Sequence, residues 1–123
     1  MACFSEIQRV NTILYCRRWA ETVAFYRDRL SLEITFESDW FVEFRVSPTA
    51  FLSVADQFRA SISSAGGKGI TLSFQIGRLA DLHHHLTDIG AAPTAIRSGV
   101  MGADVFYLFD PEGNRIEFWC PDR

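Results

Sequence analysis

Cysteine is scarce in this chain, with Cys3, Cys16 and Cys120 scattered singly among 123 residues. That spacing excludes a disulfide framework and the paired ligand pattern of a zinc motif. No histidine stands near them to form a nucleophile pair. Cys16 and Cys120 fall in expected strands, where a thiol packs as a small hydrophobe. A basic excess is also missing. Twelve Lys and Arg stand against 15 Asp and Glu, a net charge of −3, so there is no footprint for nucleic acid. No apolar run approaches the ~18 residues of a membrane span. The first residues lack the charged-then-apolar pattern of a signal peptide. The expectations are therefore no nucleic acid, no membrane and a cytoplasmic location.

What is present is a globular composition, 48% hydrophobic and 22% charged, rich in phenylalanine with 11. Such a length is one domain's worth and buries a real core without staples. The most informative stretch is Phe106-Tyr-Leu-Phe-Asp-Pro-Glu-Gly-Asn-Arg-Ile-Glu-Phe-Trp119. It predicts a β-hairpin: an aromatic strand, a turn at Asp110–Asn114, and a strand alternating apolar and polar. Pro111 presets its own φ, and Gly113 takes a positive φ without steric cost. Glu117 then lies in a strand among Ile116, Phe118 and Trp119. A carboxylate there faces solvent, a partner or a ligand.

The stretch from Asp56 to Gly69, rich in Ser and Gly, reads as a linker. The same order of elements is expected on either side. The first half predicts a strand at 11–16 and a helix at 19–30, whose Trp19, Val23, Tyr26 and Leu30 share one face. Strands at 33–37, 40–46 and 50–55 follow. The second half predicts a strand at 70–76, then a helix at 79–89 ended by Gly90, with Leu79, Leu82, Leu86 and Ile89 in one stripe. Strands at 95–98, 104–109 and 115–120 complete it. An offset of 60 residues superposes Trp19 on Leu79 and Tyr26 on Leu86. The repeating unit is β-α-β-β-β.

Glu21-Thr-Val-Ala-Phe-Tyr-Arg-Asp-Arg-Leu30 after a short strand, with the closing Phe109-to-Trp119 hairpin, resembles the vicinal oxygen chelate superfamily. That group includes glyoxalases, extradiol dioxygenases and bleomycin-resistance proteins. The resemblance covers about residues 10–121. It implies an α+β fold, with two βαβββ modules (about 10–55 and 70–121) in tandem forming a curled, U-shaped mixed sheet with a central cavity. It also implies a homodimer, because these cavities are often completed by a second subunit.

In metal-dependent members the ligands come from the first and last strands of each module. The resemblance transfers those positions to Asn11, Thr71 and Glu117, and to Ser53, or to Leu52 if the register slips by one. Catalytic transition-metal sites need about three imidazole, carboxylate or thiolate ligands. One carboxylate beside an amide and hydroxyls is a degenerate set, so no metal and no cofactor are expected. His83-His84-His85 cannot substitute, because consecutive helical residues point ~100° apart. The expected role of that run is a solvated helix face.

Side chains two apart on a strand share a face. Asn11, Ile13 and Tyr15, then Thr71, Ser73 and Gln75, then Glu117 and Trp119 should face together. Leu14, Cys16, Leu72, Phe74, Ile76, Ile116 and Phe118 should pack beneath the helices. Trp40, Phe44 and Tyr107 are further candidates for the cavity or the core. Arg17, Arg45, Arg97 and Arg115 are candidate cations for Glu117. The set reads as a pocket with aromatic walls and a few polar groups.

Three functions fit. The first is a metal-independent small-molecule binding protein, sequestering an aromatic or cationic organic compound through Glu117, Trp119 and Tyr15. The second is a glyoxalase-like lyase, isomerase or dioxygenase using Glu117 as base or metal ligand, with Asn11, Gln75 or an arginine steadying an oxyanion. The third is an inert interaction module with a filled cavity.

Overall fold

The computed structural model describes residues 6–122, so Cys3 lies outside the described residues. They fall into two units, one ending at Ala65 and one beginning at Gly66. The first runs β1 (Val10–Cys16), α1 (Trp19–Ala24), a π-helical turn (Phe25–Arg29), β2 (Glu33–Glu37), β3 (Phe41–Ser47) and β4 (Ala50–Asp56). The second runs β5 (Thr71–Gln75), α2 (Leu79–Asp88), β6 (Arg97–Val100), β7 (Ala103–Phe109) and β8 (Arg115–Pro121). Each unit forms a four-stranded mixed sheet, ordered β1-β4-β3-β2 in one and β5-β8-β7-β6 in the other. The first strand of each lies parallel to the last, and the other neighbours are antiparallel. The βαβββ order expected from the sequence is therefore found twice.

The helices cover the apolar faces. Val23 and Tyr26 are buried in the first unit, where the Tyr26 ring lies 6.0 Å from that of Phe44. Leu79 and Leu86 do the same work in the second. Fully burying one such side chain stabilises by about 1.5–3 kcal/mol. Phe106 is fully buried, its ring 5.2 Å from Phe118. Gly90 (φ +77°) ends α2 as expected. Its N–H donates to Thr87 O and that of Ala91 to Leu86 O, the paired bonds of a Schellman motif.

Several local expectations change. The first helix does not stay regular to Leu30: its last turn widens, and the Leu30 N–H donates to Phe25 O at 3.3 Å. The strand expected at 95–98 begins at Arg97, because Thr94 is held outside the ladder. Thr94 N–H donates to Tyr107 O, and Tyr107 N–H to Thr94 Oγ1. His83 is half-buried rather than on a fully solvated face. Its ring stands edge-on to Phe106 at 5.0 Å, and its Nε2–H donates to Thr94 O at 2.9 Å. His84 does face solvent, 3.2 Å from Asp88 one turn on.

The closing turn is organised by Asp110. Its Oδ1 accepts from the N–H groups of Glu112 and Asn114, both at 2.9 Å, and its Oδ2 accepts from Asn114 Nδ2 at 2.9 Å. Gly113 has φ +95°, the conformation its identity predicts. Register follows from this turn, with Phe109 opposite Arg115 and Tyr107 opposite Glu117.

Candidate functional site

Strand alternation separates the two faces of β1, β5 and β8. Asn11, Ile13, Thr71, Ser73, Gln75 and Arg115 are exposed, while Tyr15, Glu117 and Trp119 are half-buried. Leu14, Cys16, Leu72, Ile116 and Phe118 are buried on the opposite side. Phe44, a candidate for either place, is core. Trp40 precedes β3 and sets its ring edge-on to Phe41 at 5.5 Å. Tyr107 shares Glu117's face.

In the second unit, β5 supplies one hydroxyl to each charge on β8. Ser73 pairs in register with Glu117, and its Oγ–H donates to Glu117 Oε2. Thr71 pairs in register with Arg115, whose Nε–H donates to Thr71 Oγ1 at 3.0 Å. The Arg115 guanidinium also lies over the Tyr107 ring, 4.5 Å from its centroid. Among the described residues no cation pairs with Glu117. Its polar partner there is Ser73. Arg45, one of its candidates, instead pairs with Glu33 at 3.2 Å.

Glu117, Ser73 and Trp119 line a pocket of about 290 Å³ with Val100, Met101, Ala103 and Val105. Val105 is buried, whereas Met101 is fully exposed. Met101 (φ +52°) and Gly102 (φ +77°) form the two-residue turn between Val100 and Ala103. Two positive φ values in such a loop are the type I′ hairpin, whose twist matches the strands. Sequence reading missed these apolar lining residues. Met-Gly is not the Asn-Gly or Asp-Gly pair that marks this turn, so nothing local placed Met101 beside Glu117.

The first unit answers the same positions differently. Ser53 pairs in register with Ile13 and Glu43, as Glu117 pairs with Ser73 and Tyr107. The counterpart of Glu117 is therefore Ser53, and Leu52 lies buried on the other face. The Ser53 hydroxyl donates to Asn11 Oδ1 at 2.8 Å, and Asn11 Nδ2 donates to Glu43 Oε2 at 3.4 Å. Glu43 is a carboxylate that sequence reading did not single out. The signal was present, since Val42 and Phe44 flank it in the alternation that drew notice to Glu117. Arg9 reaches Glu43 Oε1 at 3.0 Å, and the Thr35 hydroxyl donates to the same oxygen at 2.8 Å. Burial pushes the Glu43 carboxyl upward, but the Thr35 hydroxyl, the Arg9 guanidinium and the charge on Arg45 outweigh it. The group is held below the ordinary glutamate value.

A depressed folded-state pKa means the unfolded chain takes up the proton first as pH falls. Glu43 thus contributes stability fully above the usual glutamate pKa of about 4.3, lost as pH falls through its lower folded value. Glu43→Gln should cost about 1 kcal/mol at pH 7 and flatten this acid dependence. Urea midpoints measured from pH 7 to pH 3 check it. Equal slopes for wild type and variant would discount the network.

Comparison with solved structures places this fold among known ones. A lactoylglutathione lyase from Agrobacterium tumefaciens matches with TM-score 0.75 and 20% identity, over 90% of this chain and 91% of that one. A glyoxalase/bleomycin resistance protein/dioxygenase from Nocardioides matches with TM-score 0.77 and 14% identity, over 93% and 83%. A glyoxalase/bleomycin resistance protein from Catenulispora acidiphila matches with TM-score 0.72 and 16% identity, over 91% and 96%. The fold is that of the vicinal oxygen chelate proteins. At these identities the likeness shows the fold alone. No protein-family model matches the chain, and no curated protein matches it.

The donor set does not fit the catalytic metal of that fold's metal-dependent members. Asn11 Oδ1 already accepts from Ser53, and its amide nitrogen is turned to Glu43. Thr71 Oγ1 accepts from the Arg115 guanidinium, a fixed positive charge that repels a cation there. Glu117 alone among these positions offers an anionic oxygen. No His/Cys/Asp/Glu cluster among the described residues has three members able to hold a metal. No helix among them is long and apolar enough to cross a membrane.

Proposed function

We propose that this chain is a metal-independent small-molecule binding protein whose second unit takes an aromatic or cationic organic group. One observation carries the reading: Glu117, held by a neutral hydroxyl rather than by a cation, faces a largely apolar pocket beside Trp119. A half-buried carboxylate without a counter-charge attracts a cation, and the neighbouring indole adds stacking or cation–π attraction. The volume of about 290 Å³ suits a ring with a short arm. Met101 at its side is a flexible, polarizable wall that adapts to shape.

Proton abstraction by Glu117 has less in its favour. The enolate oxygen of such a reaction needs a preorganised donor. Of the donors offered for it, the Asn11 amide donates to Glu43 and the Arg115 Nε–H to Thr71.

The reading is tested by thermal shift with a panel of aromatic amines and quaternary ammonium compounds, comparing wild type with Glu117→Gln. A ligand at a hundred times its Kd stabilises the native state by about 2.7 kcal/mol, a readily measured rise in Tm. Glu117→Gln should weaken cationic hits about tenfold, the loss of one charge-assisted contact. Cationic hits that bind the variant as well as wild type would remove Glu117 from the site.

A further inference from the structure

The proposed pocket engages one of the two charges on β8. Arg115 lies two residues before Glu117 on the same face, so their backbone positions are about 6.6 Å apart along the strand. They do not pair with each other; each is held by its own hydroxyl from β5, Thr71 for Arg115 and Ser73 for Glu117. The Arg115 guanidinium lies over the Tyr107 ring, and only its Nε–H is used. Its two terminal amino groups carry no partner among the described residues. A planar guanidinium with a free edge is a carboxylate-binding fork.

The first unit treats the charges of its own strands differently. There the carboxylate of Glu43 is matched directly by Arg9, and Arg9 and Arg45 both lie over Phe51. In that unit the charges neutralise one another. In the second they are kept apart and unspent.

We infer that the second unit recognises a zwitterion, with its cationic end at Glu117 and Trp119 and its carboxylate at Arg115, the two joined by a short apolar or aromatic spacer lying along β8. The inference rests on the proposed ligand pocket and names the chemical class of its ligand. Arg115 is the specificity-determining residue, since a cation alone satisfies only Glu117.

Three probes separate the contributions: para-aminomethylbenzoate, which carries both charges across one ring, benzylamine with the cation alone, and para-toluate with the anion alone. Affinities are read by ligand-observed NMR titration at low ionic strength. Wild type should prefer para-aminomethylbenzoate to benzylamine about tenfold, and bind para-toluate weakest. Arg115→Gln should close that gap by weakening the zwitterion, and Arg115→Lys should restore part of it, since lysine keeps the charge and loses the fork. A wild-type protein that binds the two amines equally, or an Arg115→Gln protein that keeps the tenfold gap, overturns the zwitterion. If benzylamine binding then still depends on Glu117, the pocket reading stands while this inference falls. If neither amine binds saturably, both fall.

Discussion

Asp110→Ala lowers the stability of the second unit by roughly 3–5 kcal/mol, the largest effect expected of a single substitution in the closing turn. The carboxylate is buried, and it accepts three hydrogen bonds, from Glu112 N–H, Asn114 N–H and Asn114 Nδ2. Glu112 and Asn114 are themselves buried. Truncation therefore strands three donors away from water, and leaving a buried donor unpaired costs about 1–3 kcal/mol each. Asp110→Asn keeps one acceptor oxygen and should lose about half as much. Urea unfolding followed by circular dichroism measures both. A loss under 1 kcal/mol for the alanine variant would show that the turn relaxes to solvate those groups. The consequence reaches the pocket, since this turn sets the register that places Tyr107 opposite Glu117.

Gly67→Ala should cost roughly 2–5 kcal/mol for a different reason. A methyl group built there would lie 2.1 Å from the carbonyl oxygen of Gly113 and 2.8 Å from Asn114 N. The backbone also has φ +82° at Gly67, unfavourable for any residue with a Cβ. Both backbones would have to separate, and the Gly113 side is pinned by Asp110. Gly69→Ala is the control. It has φ +73° but nothing within 4 Å, so it should lose only the conformational part, about 1 kcal/mol. Equal losses at the two glycines would mean that the close approach carries no energy. The double variant Asp110→Ala/Gly67→Ala should lose less than the sum, because a loosened turn can yield to the new methyl group.

Much of the fold was legible from local pattern. The alternation in β8 and the Pro-Glu-Gly turn announce a hairpin without reference to anything distant. The stripe of Leu79, Leu82 and Leu86 announces α2 in the same way. Those signals are short-range because they come from backbone geometry: a period of 2, a period of 3.6, a positive φ at glycine. What they miss is equally consistent. The displaced start of β6 and the anchoring of His83 each depend on a contact with a residue far along the chain, and the widened turn after Ala24 has no period of its own to announce it.

The site divides along the same line. Parity, started from the positions that the resemblance gave, sorted Asn11, Thr71, Ser73, Gln75, Glu117 and Trp119 away from the apolar set, and the same rule applied to β3 finds Glu43. Parity cannot say what a charge meets once it is on its face. Arg115 was one of four arginines offered to Glu117, and no spacing in the sequence chose among them.

The sequence by itself determined the repeated βαβββ order, the closing hairpin and the face on which Glu117 lies, because each follows from backbone periodicity over a few residues. Tertiary structure alone decided the partners. Parallel pairing joins β5 to β8 across 44 positions of chain, bringing Ser73 to Glu117 and Thr71 to Arg115. That register left the two charges separate, whereas in the first unit Arg9, just before β1, reaches Glu43. Whether a charge is spent within the protein or kept for a ligand depends on which strand lies beside it.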